Sequence, residues 1–325
     1  MSQLRWESDH FRDGRFFNPG VPPHRFSQLL KWIIRRKVGP WRTSFSLVAP
    51  PPPSARVNGG EVRATFVNHS TFLIQTEGQN ILTDPIWSER ASPVSFLGPK
   101  RHRPPGIAFD DLPAIDTVLI SHNHYDHLDV PTLKKIQARD APAIFCPLGV
   151  ARLLGEIGFQ QIYELDWWQS QMRPGLRVHC VPAQHFSSRT PFDRNRTLWC
   201  GWMLEAAGGN LFFAGDTGFG HHFAAIRNKF EPIRLALLPI GAFKPEWFMG
   251  PVHMTPEQAV EACRILQAGT SIAMHFGTFA LADDGETEPV DRLSKCLSTM
   301  HEPDLVWVLK EGEGRRIPVQ KLDKR

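Results

Sequence analysis

Thr117-Val118-Leu119-Ile120 is a short apolar run that leads directly into Ser121-His122-Asn123-His124-Tyr125-Asp126-His127-Leu128-Asp129. Three imidazoles and two carboxylates within nine residues constrain this chain more than any other feature. Histidines crowded together without a metal must each find a separate hydrogen-bond partner. Neutral imidazole and carboxylate together are instead natural ligands for zinc and, to a lesser degree, for manganese or iron. Adjacent residues cannot all point at one ion, so the spacing divides them. His122 and His124 are expected to reach one metal, while Asp126 and His127 turn toward a second. The expectation is a metal-dependent hydrolase whose site is built at the end of a strand.

Further ligands must come from elsewhere, and the candidates also follow apolar runs. His185 lies in Pro182-Ala183-Gln184-His185-Phe186 after Val178 to Val181. Asp216 lies in Ala214-Gly215-Asp216-Thr217-Gly218 after Leu211 to Ala214, and His275 follows Ile272 to Met274. Strand ends on one edge of a sheet converge, so loop residues there can be held rigidly without breaking ladder hydrogen bonds. Other strands are read at Val62 to Val67, Phe72 to Gln75, Trp199 to Leu204 and Leu235 to Leu238. Alternating with helical stretches, they argue for an α/β layered fold. One helix is well specified: Thr255 caps it, Pro256 suits its first position, Gln258 completes a capping box, and Gly269 closes it. Ala259, Ala262, Cys263 and Leu266 form its inward face.

At 325 residues the chain can bury a substantial core, and its formal charge of +4 leaves any attraction to anions to local clusters. Five cysteines without a CxxC pair do not read as a disulfide framework. The stretch Met1 to Arg15 lacks the apolar centre of a signal peptide, and no run of about 18 apolar residues suggests a membrane span. A cytoplasmic protein, peripheral at a membrane if it meets one, is expected. Residues 1–54 read as an arm and 55–325 as the hydrolase domain, with a short tail ending in Lys324-Arg325. In the arm, Phe26, Leu29, Leu30 and Ile33 recur at helical spacing beside Lys31, Arg35, Arg36 and Lys37. This basic amphipathic helix suits either packing on the body or contact with an anionic bilayer. Pro50 to Pro53 form a stiff connector.

The ordering HxHxDH, His, Asp, His resembles the metallo-β-lactamase superfamily. The resemblance implies a four-layer αββα sandwich and two zinc ions, with Mn2+ or Fe2+ as substitutes. It places His122, His124 and His185 on one metal, Asp126, His127 and His275 on the other, and Asp216 between them. Lactam hydrolases of this fold commonly carry Cys where this chain has Asp216, which disfavours antibiotic hydrolysis. Thr83-Asp84-Pro85-Ile86-Trp87, Ser92 to Arg103, Pro239-Ile240-Gly241-Ala242 and Trp247-Phe248-Met249 are similar to the N-acylphosphatidylethanolamine phospholipase D family. That similarity runs from about Phe66 to Ala282.

It implies a phosphodiesterase in which two dications about 3.5 Å apart activate a water, with Asp126 orienting it or receiving its proton. His253, in Val252-His253-Met254-Thr255-Pro256, resembles a family position near the substrate phosphate; capping or packing at the start of the helix is the rival role. Asp84 is expected to fix the tautomer of a liganding histidine, or else to make an Asp-Pro turn. His69 either approaches the metals or is an ordinary loop histidine. His179, His221 and His222 read as structural or surface residues. The segment from Asp84 to Pro113 mixes Trp87, Phe96 and Leu97 with Lys100, Arg101, His102 and Arg103. It reads as a rim whose cations meet an anionic substrate, or as a loop packed on itself.

The substrate expected is thus a phospholipid or another phosphodiester, with no specific nucleic-acid partner. A lactonase or other carboxylic-ester hydrolase, a nucleotide phosphodiesterase and a non-catalytic metal-binding membrane scaffold are the alternatives. The oligomeric state is left open, a homodimer included.

Overall fold

A computed structural model of the chain describes residues 7–22, 26–42, 45 and 51–319. The expectations placed on Pro50, Lys324, Arg325 and the side chain of Phe26 lie outside the described residues.

Alternation of side chains builds the centre of the molecule. In Thr71–Thr76, Phe72 and Ile74 point into the space between two sheets, whereas Leu73 points the other way into a second core. Val62–Asn68 behaves alike, with Val62, Ala64 and Phe66 inward and Val67 outward. These strands belong to a seven-stranded sheet ordered Gly314–Arg316, Val62–Asn68, Thr71–Thr76, Gln79–Thr83, Thr117–Leu119, Ala143–Pro147 and Ile162–Leu165. A second seven-stranded sheet runs Val306–Trp307, Thr270–Met274, Ile233–Pro239, Gly209–Phe213, Gly201–Ala206, Leu176–Val181 and Ser170–Arg173.

Helices Val130–Asp140 and Ala151–Ile157 cover the outer face of the first sheet through Leu133, Ile136 and Leu154. His222–Phe230, Pro256–Leu266 and Glu288–Thr299 cover the second through Phe223, Ile226, Ala259, Leu266 and Leu293. The layering is αββα, as the superfamily resemblance implied.

Two element boundaries differ from the sequence reading. The helix capped by Thr255 does carry the capping box with Gln258, but it ends at Leu266 with Gln267 in the left-handed region. Gly269 plays no part in closing it and instead donates its N–H to the Ile233 carbonyl. The strand expected from Trp199 pairs only from Gly201 to Ala206, because the Cys200 backbone turns toward Ser121 instead. Cys200 N–H donates to Ser121 O at 2.9 Å.

The arm lies against the body. Helix Phe26–Arg35 buries Leu29 and Trp32 beside Ala242, Phe248, Met249 and Ala282, with Trp32 stacked on Phe248 at 5.1 Å. The packed face is rotated from the expected stripe, since Leu30 and Ile33 are exposed and Ile34 is 80% exposed. Trp32 Nε1 and Lys37 N then donate to the Asp283 carboxylate, Gly39 N–H to the Asp283 carbonyl, and Arg42 N–H to Glu286. The arm is therefore stitched to the loop that follows His275.

Candidate metal centre

Parallel strands deliver their C-terminal ends to one rim, and the polar cluster collects there. Asp84 follows Gln79–Thr83, His122 follows Thr117–Leu119, Asp216 follows Gly209–Phe213 and His275 follows Thr270–Met274. Trp202 Nε1 donates to Ile120 O at 3.0 Å, tying the second sheet to the start of the histidine loop. Two glycines make the close approaches practicable. A Cβ on Gly215, at φ +61°, would meet Cys200 O and Ser121 Cβ at 2.7 Å, and one on Gly241 would fall 2.0 Å from His275 O.

His122, His124 and His185 form one group, with His122 Nε2 and His185 Nε2 at 2.8 and 3.3 Å from His124 Nδ1. Asp126, His127, His275 and His69 form the other. Asp216 lies between the groups: its Oδ2 is 3.2 Å from His127 Nε2, 3.0 Å from His275 Nε2 and 3.8 Å from His185 Nε2. Three imidazoles are oriented from behind. His127 Nδ1 donates to Asp84 Oδ2 at 2.7 Å and His185 Nδ1 to Val252 O at 2.9 Å, while His122 Nδ1 meets Ser121 Oγ at 2.9 Å. Each arrangement presents Nε2 to the centre, the usual service of an outer partner to a metal ligand.

Whether metals fit can be judged from the atoms themselves. His127 Nε2, His275 Nε2 and Asp216 Oδ1 are buried without a hydrogen-bond partner, although carboxylates surround the two imidazoles. Convergent, unsatisfied imidazole and carboxylate atoms are a donor set that metal ions fit. The electrostatics agree. Burial holds His122 and His185 well below the ordinary histidine range and His124 down to about 4, leaving neutral lone pairs. Burial also opposes charge on His275, yet Asp216 and Asp126 raise it to about 9, and they and Asp84 lift His127 well above the ordinary value. The two carboxylates therefore call for positive charge exactly where the second group and Asp216 meet.

The remaining candidates fall on both sides of expectation. Asp84 accepts from Ser121 N at 2.7 Å and Ser121 Oγ at 2.5 Å as well as from His127. His69 Nε2 lies 2.9 Å from Asp126 Oδ2, and burial pushes its pKa to about 3. His253 does not cap the following helix, a task Thr255 performs; its ring is 5.0 Å from that of His185 and lines the adjoining cavity. The rim cations are a correction. Arg101 is buried and donates to the carbonyls of Ser88 and Ile86, Arg103 is locked between Glu286 and Glu311, and Lys100 is exposed. None of the three lines the cavity, because the loop spends its guanidiniums on its own backbone and on buried acids. Trp87 likewise turns inward, donating to Ile107 O.

Several residues escaped the sequence reading. Asn18, 167 positions from His185, donates through Nδ2 to His185 O at 2.7 Å and accepts the His185 N–H at 3.2 Å. No local pattern marks such a residue. A cavity of about 340 Å³ opens on His124, Asp126, Asp216 and His253, with Arg194 at its edge. Its apolar wall includes Leu29 and Trp32 of the arm together with Phe186, Phe248, Met249 and Leu281.

Residues 79–276 match the Beta-lactamase superfamily domain. An uncharacterized protein of Mycobacterium tuberculosis is 37% identical over 322 residues, covering 96% of this chain and 84% of that protein. The N-acyl-phosphatidylethanolamine-hydrolyzing phospholipase D 1 of Caenorhabditis elegans is 38% identical over 252 residues, 74% of this chain and 70% of that one. Among solved structures, the Ignicoccus hospitalis metallo hydrolase Igni18 superposes with a TM-score of 0.61 at 24% identity, covering 80% of this chain and all of the other, a likeness of fold. The chain is a metal-dependent hydrolase of the metallo-β-lactamase superfamily and belongs, within it, to the family that includes the N-acyl-phosphatidylethanolamine-hydrolyzing phospholipases D.

Proposed function

We propose that the protein is a dinuclear zinc phosphodiesterase of phospholipase D type, acting on N-acylphosphatidylethanolamine or a related glycerophospholipid. The observation that carries this reading is the junction of a carboxylate-bridged histidine centre with an apolar cavity walled by the arm helix. An amphiphile with a phosphate at one end of an apolar body matches that junction. The names of relatives at 38% and 34% identity, from worm and yeast, support the same substrate class.

His122, His124 and His185 would hold one cation, Asp126, His127 and His275 the other, and Asp216 would touch both. When bound, such a pair lowers the pKa of a water and neutralises charge that builds on phosphorus. The chain's own groups do the rest. Asp126 lines the cavity while His69 holds its Oδ2, which leaves Oδ1 to orient the attacking water and take its proton. His253, held down to about 4 chiefly by burial, is neutral near pH 7 and serves a phosphate oxygen as a hydrogen-bond donor rather than as an acid. Leu29, Trp32 and Phe248 take the apolar part of the substrate and exclude water from it.

The exposed Leu30, Ile33 and Ile34, followed by Arg35, Arg36 and Lys37, suit peripheral contact with an anionic bilayer from which such a substrate would be drawn. Among the described residues no helix is long and apolar enough to cross a membrane.

The test is a metal analysis joined to a lipid panel. Purified protein should carry close to two metals per chain, lose them in His122→Ala/His124→Ala, and release phosphatidic acid from N-acylphosphatidylethanolamine. Metal-loaded protein inert on every phosphodiester offered overturns the reading.

A further inference from the structure

The cavity is electrostatically lopsided. Its floor carries Asp126 and Asp216, both engaged with histidines, whereas its mouth carries Arg194, the one guanidinium among the described residues that line it. With Arg101 and Arg103 turned into the protein, Arg194 is the guanidinium left to meet an anionic substrate on its way to the metals.

Arg194 is held on a built platform. On one side, Asp193 Oδ1 accepts the N–H groups of Arg189 and Thr190 at 2.9 and 2.8 Å. On the other, Asn195, at φ +60°, donates to Ser187 O and accepts from Phe16 N–H, each at 2.8 Å. The guanidinium then lies 4.3 Å from the centroid of Phe186, whose ring packs edge-on against His124 at 4.5 Å. A cation over a ring face is aimed without spending its N–H donors.

Its guanidinium is left without an ion pair. No carboxylate among the described residues pairs with Arg194, and the charge beside it is a second arginine, Arg15, which donates to the Arg194 carbonyl oxygen. The two like charges repel each other, and an anion at Arg194 relieves that repulsion while accepting from the planar fork.

We propose that Arg194 is the anion-selecting residue of this site, binding a non-bridging oxygen of a phosphodiester seated at the metal centre, with Arg15 adding to its field. The proposal rests on the phosphodiesterase reading and sharpens it. A diester carries its negative charge before reaction, so Arg194 acts on binding of the intact substrate, and a neutral triester of the same shape gains nothing from it.

Calorimetric titration of metal-loaded wild type, Arg194→Ala and Arg194→Lys with dimethyl phosphate and with trimethyl phosphate tests this, with metal content measured in each. Arg194 is exposed at the mouth, so the variants should fold and keep their metals. The expected result is a loss of about 10- to 100-fold in dimethyl phosphate affinity for Arg194→Ala, partly restored by Lys. Trimethyl phosphate should bind all three proteins equally weakly. Equal dimethyl phosphate affinity in wild type and Arg194→Ala overturns the proposal, as does wild type that binds no dimethyl phosphate or a loss shared by the neutral triester. If wild type binds the anion through Arg194 yet hydrolyses no diester, the role of Arg194 stands and the phosphodiesterase reading falls.

Discussion

Asp84→Asn changes one atom of a fully buried side chain, and the geometry around that atom fixes what should follow. Asp84 Oδ1 accepts Ser121 N–H at 2.7 Å, while Oδ2 accepts both Ser121 Oγ at 2.5 Å and His127 Nδ1 at 2.7 Å. If the asparagine oxygen stays toward Ser121 N–H, its NH2 faces His127 Nδ1. The imidazole must then carry its proton on Nε2, the nitrogen that should face the metal. If the amide flips, its NH2 meets the Ser121 N–H donor instead. Either way one buried donor or acceptor goes unpaired, at a cost of about 1–3 kcal/mol. Loss of an outer carboxylate partner typically weakens metal binding by about 10- to 100-fold. Competition of stripped protein against a chromogenic zinc chelator should show the site holding His127 weakened by that amount and the one held by His122, His124 and His185 weakened less, since Asp84 reaches His122 only through Ser121 Oγ. Two sites of wild-type affinity in Asp84→Asn would refute the tautomer argument.

Other perturbations probe the supports. Asn18→Ala removes both hydrogen bonds to the His185 backbone and should weaken the site holding His185 about 10-fold, with about 1–2 kcal/mol of stability lost in denaturant titration of the metal-free protein. Trp32→Ala opens the cavity wall; KM should rise for long-chain lipid substrates and stay unchanged for a small chromogenic diester, as measured by steady-state kinetics. Glu286 is held below its ordinary value of 4.5: burial opposes this, but the Arg42 N–H and the Arg103 guanidinium outweigh it. Its contribution is therefore full above pH 4.5 and lost as pH falls through the lower folded value, so Glu286→Gln should flatten the acid side of a Tm-against-pH curve.

Much of the sheet core and the clustering of the candidate ligands were legible because both are written locally. Short apolar runs bounded by polar or turn residues mark strands such as Phe72 to Gln75, and those followed by His or Asp mark the rim. The edge strands Ser170–Arg173 and Gly314–Arg316 were not legible, since polar residues paired on one side only carry no such pattern. The basic rim misled for a related reason: a guanidinium sequence looks the same whether it meets a substrate or, like Arg101 and Arg103, internal carbonyls and acids. Asn18 and Trp32 reach the site only through tertiary contacts with residues far along the chain, and Arg194 through a loop that turns it back onto Phe186, which no spacing rule records. The arm, expected either to pack on the body or to meet a bilayer, supplies both a clasp on His185 and a wall of the cavity.

Hydrolysis of N-acylphosphatidylethanolamine in water enriched in oxygen-18, with both products read by mass spectrometry, tests the central claim most directly. Attack at phosphorus predicts one heavy oxygen in the phosphate of phosphatidic acid and none in the N-acylethanolamine. Label found instead in a released fatty acid would place the attack at carbonyl carbon and contradict the assignment.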